Sequence, residues 1–263
     1  MKRTYGLELT NNSKVSWAFS LPRSKTCIDA TEICKKLCYG RGIRYQSQAQ
    51  KDKRERNYRT VELLLKNGGP ELLAQNLVHL IDSARPRDWL TSKLMKTKPD
   101  VPWTLRIHDV GDFYSTDYSR AWQIAVCERP ECDFWFYTRS FQTPAVYKSL
   151  GELASLPNCQ GWLSVDADNL SQGLLALCNQ PAARWKLAIL QSKDLQLEHL
   201  QDAIPEIGKA NIINFPYHHG GRNIAAFNQQ VVTSCPAIVG DLKLTNDPHT
   251  SRPCQLCSYC LPG

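Results

Sequence analysis

Seven of the eleven cysteines in this 263-residue chain fall into two sets whose spacing suits metal chemistry. Cys254, Cys257 and Cys260 stand in CQLCSYC, and Cys235 lies upstream, followed directly by Pro236. A C-x2-C-x2-C run with a remote Cys-Pro is the ligand pattern of bacterial-type ferredoxin clusters, in which two-residue gaps wrap three corners of a cubane. Zinc is the alternative metal, although its sites are more often built from two separated C-x2-C pairs around a tetrahedral ion. The other set, Cys27, Cys34 and Cys38 in KTCIDATEICKKLCYGRG, has no fourth partner nearby. Three thiolates there could hold three irons of a [4Fe-4S] cluster and leave the fourth corner for a small-molecule substrate, a cofactor or water. An open position is what separates a chemical metal site from a structural one. Spacing alone also allows Cys235 to complete the first set and leave the last three open.

Polar residues at the ends of apolar runs form a second group of candidates. RIHDVGDFY supplies Arg106, His108, Asp109 and Asp112 around a glycine turn, and YTRSF supplies Thr138 and Arg139. Asp166, Asp168 and Asn169 follow the next run, then Gln191 and Lys193, then His218 and His219. A histidine with two carboxylates can perform acid–base work, and an arginine directly after a strand can fork a carboxylate or phosphate. His108, Asp109, Asp112 and Arg139 are therefore the catalytic candidates, with Arg106, Asp166 and Asp168 as cofactor-binding ones. The competing readings are that Asp109 and Asp112 cap a helix and that Arg139 lies on the surface against Phe141. His218 and His219 are adjacent and would point to opposite sides of a strand, which makes a poor metal pair.

The elements that must position these residues alternate. Runs rich in β-branched and aromatic residues begin at Val15, Trp103, Asp133, Gly161, Trp185 and Asn211. Helical stretches lie between them, at about 45–65, 70–84, 116–128, 143–154, 168–178 and 194–203. One of Ser115, Thr116 and Asp117 can cap the third helix, and Thr143-Pro144 opens the fourth. The pattern predicts an α/β fold: a partial, roughly six-stranded parallel β/α barrel over residues 1–216, with an open doubly wound sheet as the alternative. Residues 217–263 then form a cysteine-rich metal-binding tail. The four remaining cysteines, Cys127, Cys132, Cys159 and Cys178, fall at the amino-terminal ends of strands, where they serve packing. The loop carrying Cys27, Cys34 and Cys38 leaves the first strand at its carboxyl end, where parallel β/α folds gather their functional groups.

Composition agrees with a globular enzyme, at 42% hydrophobic and 22% charged residues. MKRTYGLELTNN has no apolar stretch behind its charges, and no run approaches the ~18 residues that span a bilayer, so the expected location is cytoplasmic, with no membrane partner. Thiols stay reduced in that compartment, which favours metal ligation over disulfides. The net charge of +7 and the basic KDKRERNYR stretch at Lys51–Arg59 would help binding to nucleic acid, or would form a solvated helix face.

The order TC…C…CY near the start, GDFYS in the middle, YTRS after the next strand and the terminal CxxCxxC resembles the phage gene product 88 family, over about Trp17 to Cys260. More distantly, the chain is similar to radical S-adenosylmethionine enzymes, which place a three-cysteine loop after the first strand of a partial β/α barrel. That likeness implies S-adenosylmethionine on the free iron of the Cys27–Cys34–Cys38 cluster, its reductive cleavage to a 5′-deoxyadenosyl radical, and an electron donor. The spacing here is C-x6-C-x3-C where that family has C-x3-C-x2-C, Tyr39 follows the last cysteine, and no GGE-like strand is present. The expected function is a redox enzyme, an oxidoreductase or lyase, with two [4Fe-4S] clusters. The alternatives are a nucleic-acid-binding or processing protein of phages or mobile elements with structural iron–sulfur or zinc sites, and a zinc-stapled scaffold.

Overall fold

A computed structural model describes residues 3–86, 94–95, 102–192, 195, 200, 207–216, 218–219, 222–223, 232–245 and 252–263. In chain order the elements are β1 (Arg3–Thr4), β2 (Leu7–Glu8), α1 (Arg23–Thr26), α2 (Glu32–Leu37), α3 (Ile43–Gln46) and α4 (Gln48–Ser83). Then come β3 (Thr104–Ile107), α5 (Thr116–Cys127), β4 (Asp133–Thr138), α6 (Pro144–Ala154), β5 (Cys159–Val165), α7 (Leu170–Asn179), β6 (Lys186–Gln191) and β7 (Ile212–Pro216). The last are β8 (His218–His219), β9 (Arg222–Asn223), β10 (Thr233–Ser234), α8 (Pro236–Val239) and α9 (Pro253–Cys257).

Six strands form one all-parallel sheet in the order β10-β7-β6-β5-β4-β3. From β3 to β7 each strand lies beside the next in sequence, with no reversal of the kind that a doubly wound sheet has. The α/β class and a six-stranded parallel sheet are as expected, and the sheet does not close into a barrel.

The expected first strand is only partly formed. Ala18 makes single bridges to Thr10 and to Arg106. Around it Arg106 N bonds Trp17 O at 3.0 Å and Phe19 N bonds Arg106 O at 3.0 Å, so residues 17–19 run along β3 as an extended edge. The sixth strand is instead β10, which comes from the segment expected to be a separate tail. The expected helices at 45–65 and 70–84 are both present as the two halves of α4, separated where Gly68 and Gly69 leave helical geometry ahead of Pro70. The expected helix at 194–203 and Lys193 lie outside the described residues.

Strand alternation divides the sheet's two faces. Leu105, Ile107, Phe134, Phe136, Leu163 and Leu187 pack with α4, α5 and α6 in the main core. The alternate residues Trp135, Trp162, Ala188 and Ile213 face the other way and are covered by the C-terminal segment, including Cys235, Cys260 and Leu261. Trp135 and Trp162 are fully buried there, and truncating either to alanine would cost about 3–5 kcal/mol. The tail is thus the second layer of the sheet.

Candidate functional site

The first cysteine loop lies across the carboxyl ends of β3, β4 and β5. Thr31 caps α2, its hydroxyl accepting from Cys34 N at 2.9 Å while donating to Asp166 Oδ2 at 2.6 Å. Arg139 Nη1 meets the same Asp166 oxygen at 2.7 Å, and Ile33 N donates to Asp168 Oδ2 at 3.2 Å. At the loop's start Asp112 N donates to Thr26 Oγ1 at 3.3 Å. At its end the Tyr39 hydroxyl donates to the Asp109 carbonyl. Residues that immediately follow three strands therefore hold three points of one loop.

Gly111 makes this closeness possible. Its φ of +97° suits glycine, and an added Cβ would stand 2.9 Å from both Leu21 Cβ and Leu21 O and 3.0 Å from Thr26 Oγ1. The preceding His108 also has positive φ, at 68°, which is uncommon for a residue with a side chain.

Most of the expected residues converge here. Asp112 is buried and accepts from Arg139 N, Thr138 Oγ1 and Phe113 N, each at 2.8 Å. Burial drives its pKa up to about 6 against those donors, so it can hold a proton close to neutrality. Burial raises the thiols of Cys27 and Cys34; Asp112 pushes both up, while Arg139 pulls Cys34 down. Cys34 and Cys38 add to the rise at Cys27. Neither aspartate caps the following helix: Ser115 does, accepting from Tyr118 N at 3.2 Å. Arg139 is buried, not on the surface against Phe141.

His108 is the exception. Its ring turns into the helix-side core, 4.6 Å from the Phe113 ring, with Nε2 2.7 Å from the Tyr118 hydroxyl. Burial, with Arg106 adding to it, lowers its pKa to about 3, so it stays neutral. It supports the turn and does not face the cysteines' mouth. The described β8–β9 hairpin pairs His218 with Asn223 and His219 with Arg222.

The second set gathers on the opposite face of the sheet. Cys235, Cys254, Cys257 and Cys260 line one recess of about 340 Å³, part of it open to solvent, floored by Trp135 and Ile213. The Tyr137 hydroxyl donates to Cys260 Sγ at 2.9 Å, and Trp162 Nε1 donates to the Cys260 carbonyl at 3.1 Å. Backbone N–H groups of Ala237 and Ile238 favour the thiolate of Cys235, although burial dominates and raises it. Burial also raises Cys254, to about 11, while Arg106 lowers it. Among the described residues no group of three or more His, Cys, Asp or Glu side chains is set to hold a metal ion. Cys132 and Cys159 are buried in the helix-side core at the strands' amino ends, as expected, and Cys127 and Cys178 are exposed.

Arg106 stands between the two sets. Its Nη2 donates to the Tyr39 hydroxyl at 3.0 Å, its Nη1 is 3.5 Å from Asp109 Oδ1, and its guanidinium lies 4.9 Å over the Tyr137 ring. This cation, flanked by two tyrosines, runs from the residue after Cys38 to the hydroxyl that bonds Cys260. Sequence reasoning named Arg106 but missed Thr31, Tyr39 and Tyr137. Only Thr31 carried a local signal, as a helix-capping threonine three residues before Cys34.

The basic stretch is partly spent inside the molecule. Arg56 pairs with the buried Glu8 at 3.0 Å, Lys25 and Arg59 share Glu55, and Arg54 is buried. No helix among the described residues is long and apolar enough to cross a membrane.

A family model described as Gene product 88 matches residues 2–257. The chain is 31% identical over 240 residues to the Gene 88 protein of Mycobacterium phage L5, covering 90% of this chain and 79% of that protein. It is also 31% identical over 147 residues to the Gene 88 protein of Mycobacterium phage D29, covering 55% and 54%. No solved structure matches.

Proposed function

The chain belongs to the gene product 88 family, and for it we propose an iron–sulfur redox enzyme with one open and one closed [4Fe-4S] centre. The observation that carries this reading is the placement of Cys27, Cys34 and Cys38 over the carboxyl ends of β3–β5, ringed by buried Asp112, Arg139 and Asp166. Such an end of a parallel β/α unit is where substrates and cofactors bind. We read the sequential, singly wound sheet as a partial barrel whose mouth this loop occupies.

Fit to the metal is a matter of donor chemistry. Each thiolate of a cubane meets a different iron, so its cysteines line a cavity instead of converging on one ion. Cys235, Cys254, Cys257 and Cys260 line one cavity, and the C-x2-C-x2-C spacing with a remote Cys-Pro favours a cluster over zinc. Hydroxyl and amide donors on their sulfurs are the contacts that tune such centres.

When bound, an open cluster supplies one-electron reduction of a molecule on its free iron, with S-adenosylmethionine as the occupant that the radical-enzyme likeness implies. The chain's own residues do the rest. Arg139 and Asp166 neutralise each other and fix Thr31, which orients Cys34. Asp112, beside Cys27 and Cys34, holds or releases a proton near pH 6. Arg106 keeps a positive charge between the two sets. The electron comes from an external low-potential donor.

Anaerobic purification tests the reading. A brown protein containing iron and sulfide is expected, and incubation with strong reductant and S-adenosylmethionine should yield 5′-deoxyadenosine and methionine. Iron without cleavage removes S-adenosylmethionine but keeps the clusters; a colourless zinc protein removes both. The nucleic-acid reading draws less support, because Arg54 is buried and Arg56 is paired with Glu8; a salt-dependent shift abolished by neutralising Lys51 and Lys53 would restore it.

A further inference from the structure

Arg54 is a buried positive charge with no close ion pair, the Asp109 carboxylate being the opposing charge that acts on it most. It lies near the start of α4 and is 7% exposed, with Nη2 donating to the Tyr45 carbonyl at 2.8 Å. Its neighbours differ: Arg56 has Glu8 at 3.0 Å, Arg106 has Asp109 at 3.5 Å, and Arg139 has Asp166 at 2.7 Å. A guanidinium carries five N–H donors, and a buried charge normally has a partner. Arg54 has one backbone carbonyl.

The side chain lines a polar recess of about 330 Å³, part of it open to solvent, with Thr10, Asn12, Tyr45, Gln50 and Asp109. Asp109 is already engaged, accepting from Asn12 Nδ2 and from the Tyr45 hydroxyl at 3.1 Å each and facing Arg106. Asp109 thus serves two arginines, Arg106 at 3.5 Å and Arg54 at longer range, and the recess keeps a net positive charge. The first turn of α4 borders it at Gln50, and the amino end of a helix adds positive potential. Tyr45, which lines the recess, packs its ring 5.7 Å from that of Tyr39, the residue after Cys38, so the recess adjoins the first cysteine set.

We propose that this recess binds the oxyanion of a small molecule, a carboxylate or phosphate, with Arg54 as its counter-ion and Thr10, Asn12 and Gln50 as polar lining. The site does not depend on a metal in the neighbouring loop. If the loop holds an open centre, the oxyanion is the handle by which a substrate is held next to it.

Calorimetric titration of the anaerobically purified full chain at low ionic strength, with inorganic phosphate in one arm and acetate in the other, tests this. At least one anion should bind, and the arm that does so identifies the source. Arg54→Met should weaken binding by about 10- to 100-fold, the loss expected for a charged hydrogen-bonded contact, and Arg54→Lys should fall between. Without anion, Arg54→Met should unfold no earlier than the parent, because an excess buried positive charge has gone. If that variant does not fold, Gln50→Leu carries the test with a several-fold loss. Failure of both anions to bind the parent would overturn the proposal, as would Arg54→Met binding as tightly as the parent. Unchanged iron content in these variants separates this result from the fate of the cluster reading.

Discussion

Cys260 is gripped by the sheet itself, through the Tyr137 hydroxyl on its sulfur and Trp162 Nε1 on its carbonyl, whereas Cys34 rides on a six-residue helix tied down through Thr31 and Asp166. The tail's cysteines cover an aromatic face of the sheet and help to close a hydrophobic layer. The loop's cysteines sit among charged side chains at the strand ends, on short helices without a buried apolar residue in α2. One set is placed as part of the core, the other as part of a site. A centre that completes a layer adds its binding energy to folding, and a centre held by a polar network can be lost while the layer survives.

The sharpest way to break this contrast is to remove one thiol from each set. Cys260→Ser should lose the tail's metal and lower stability by more than about 3 kcal/mol, seen as a drop in thermal midpoint, since metal binding and layer closure go together. Cys34→Ser should lose the loop's metal while the midpoint moves by less than about 1 kcal/mol. Equal loss of stability in both would erase the distinction.

Gly111→Ala comes next. Its Cβ would strike Leu21 and Thr26 at a left-handed φ, which costs about 1–3 kcal/mol. Because Leu21 and Thr26 lead into the loop, iron should leave the first set while the tail keeps its own. Loss from the tail instead would mean that the two sites are not independently supported.

Acid gives the smallest effect and addresses the floor of the first site. His108 has a folded pKa of about 3, below its ordinary 6.5, so the unfolded chain takes up a proton first and stability falls as pH drops from about 6.5 towards 3. Asp112, raised to about 6, acts in the opposite sense, since its buried charge becomes less costly below pH 6. The two are separated by difference. The stability gap between the parent and His108→Gln should shrink by about 2 kcal/mol between pH 7 and pH 5, measured by denaturant unfolding. A gap that stays constant would place His108 in contact with water.

Much of the sheet was legible because β4 to β7 are apolar runs bounded by polar turns, and Ser115 is a readable cap. The edge at residues 17–19 reads as a strand by composition, yet it pairs only through single bridges at Ala18, to Thr10 on one side and to Arg106 of β3 on the other. Two-residue β10 carries no pattern at all; it is fixed by its pairing of Thr233 with Ile213. The strand-end residues Arg106, Asp109, Asp112, Arg139, Asp166 and Asp168 were legible from position, since period and handedness put them at one end. The direction of the His108 ring was not legible, because a positive φ at a residue with a side chain has no local sequence signal. The ties that build the site, such as Thr31 to Asp166 or Asn12 to Asp109, join residues far apart in the chain, and no local signal announces them.

The central claim is that the two cysteine sets each hold a cubane and do so independently. Iron and acid-labile sulfide, measured on the anaerobically purified parent and on a Cys27→Ala, Cys34→Ala, Cys38→Ala variant, test it most directly. About eight irons should fall to about four, with the remaining sulfide matched to iron. A colourless parent containing zinc, or a variant that loses all of its iron at once, would contradict it.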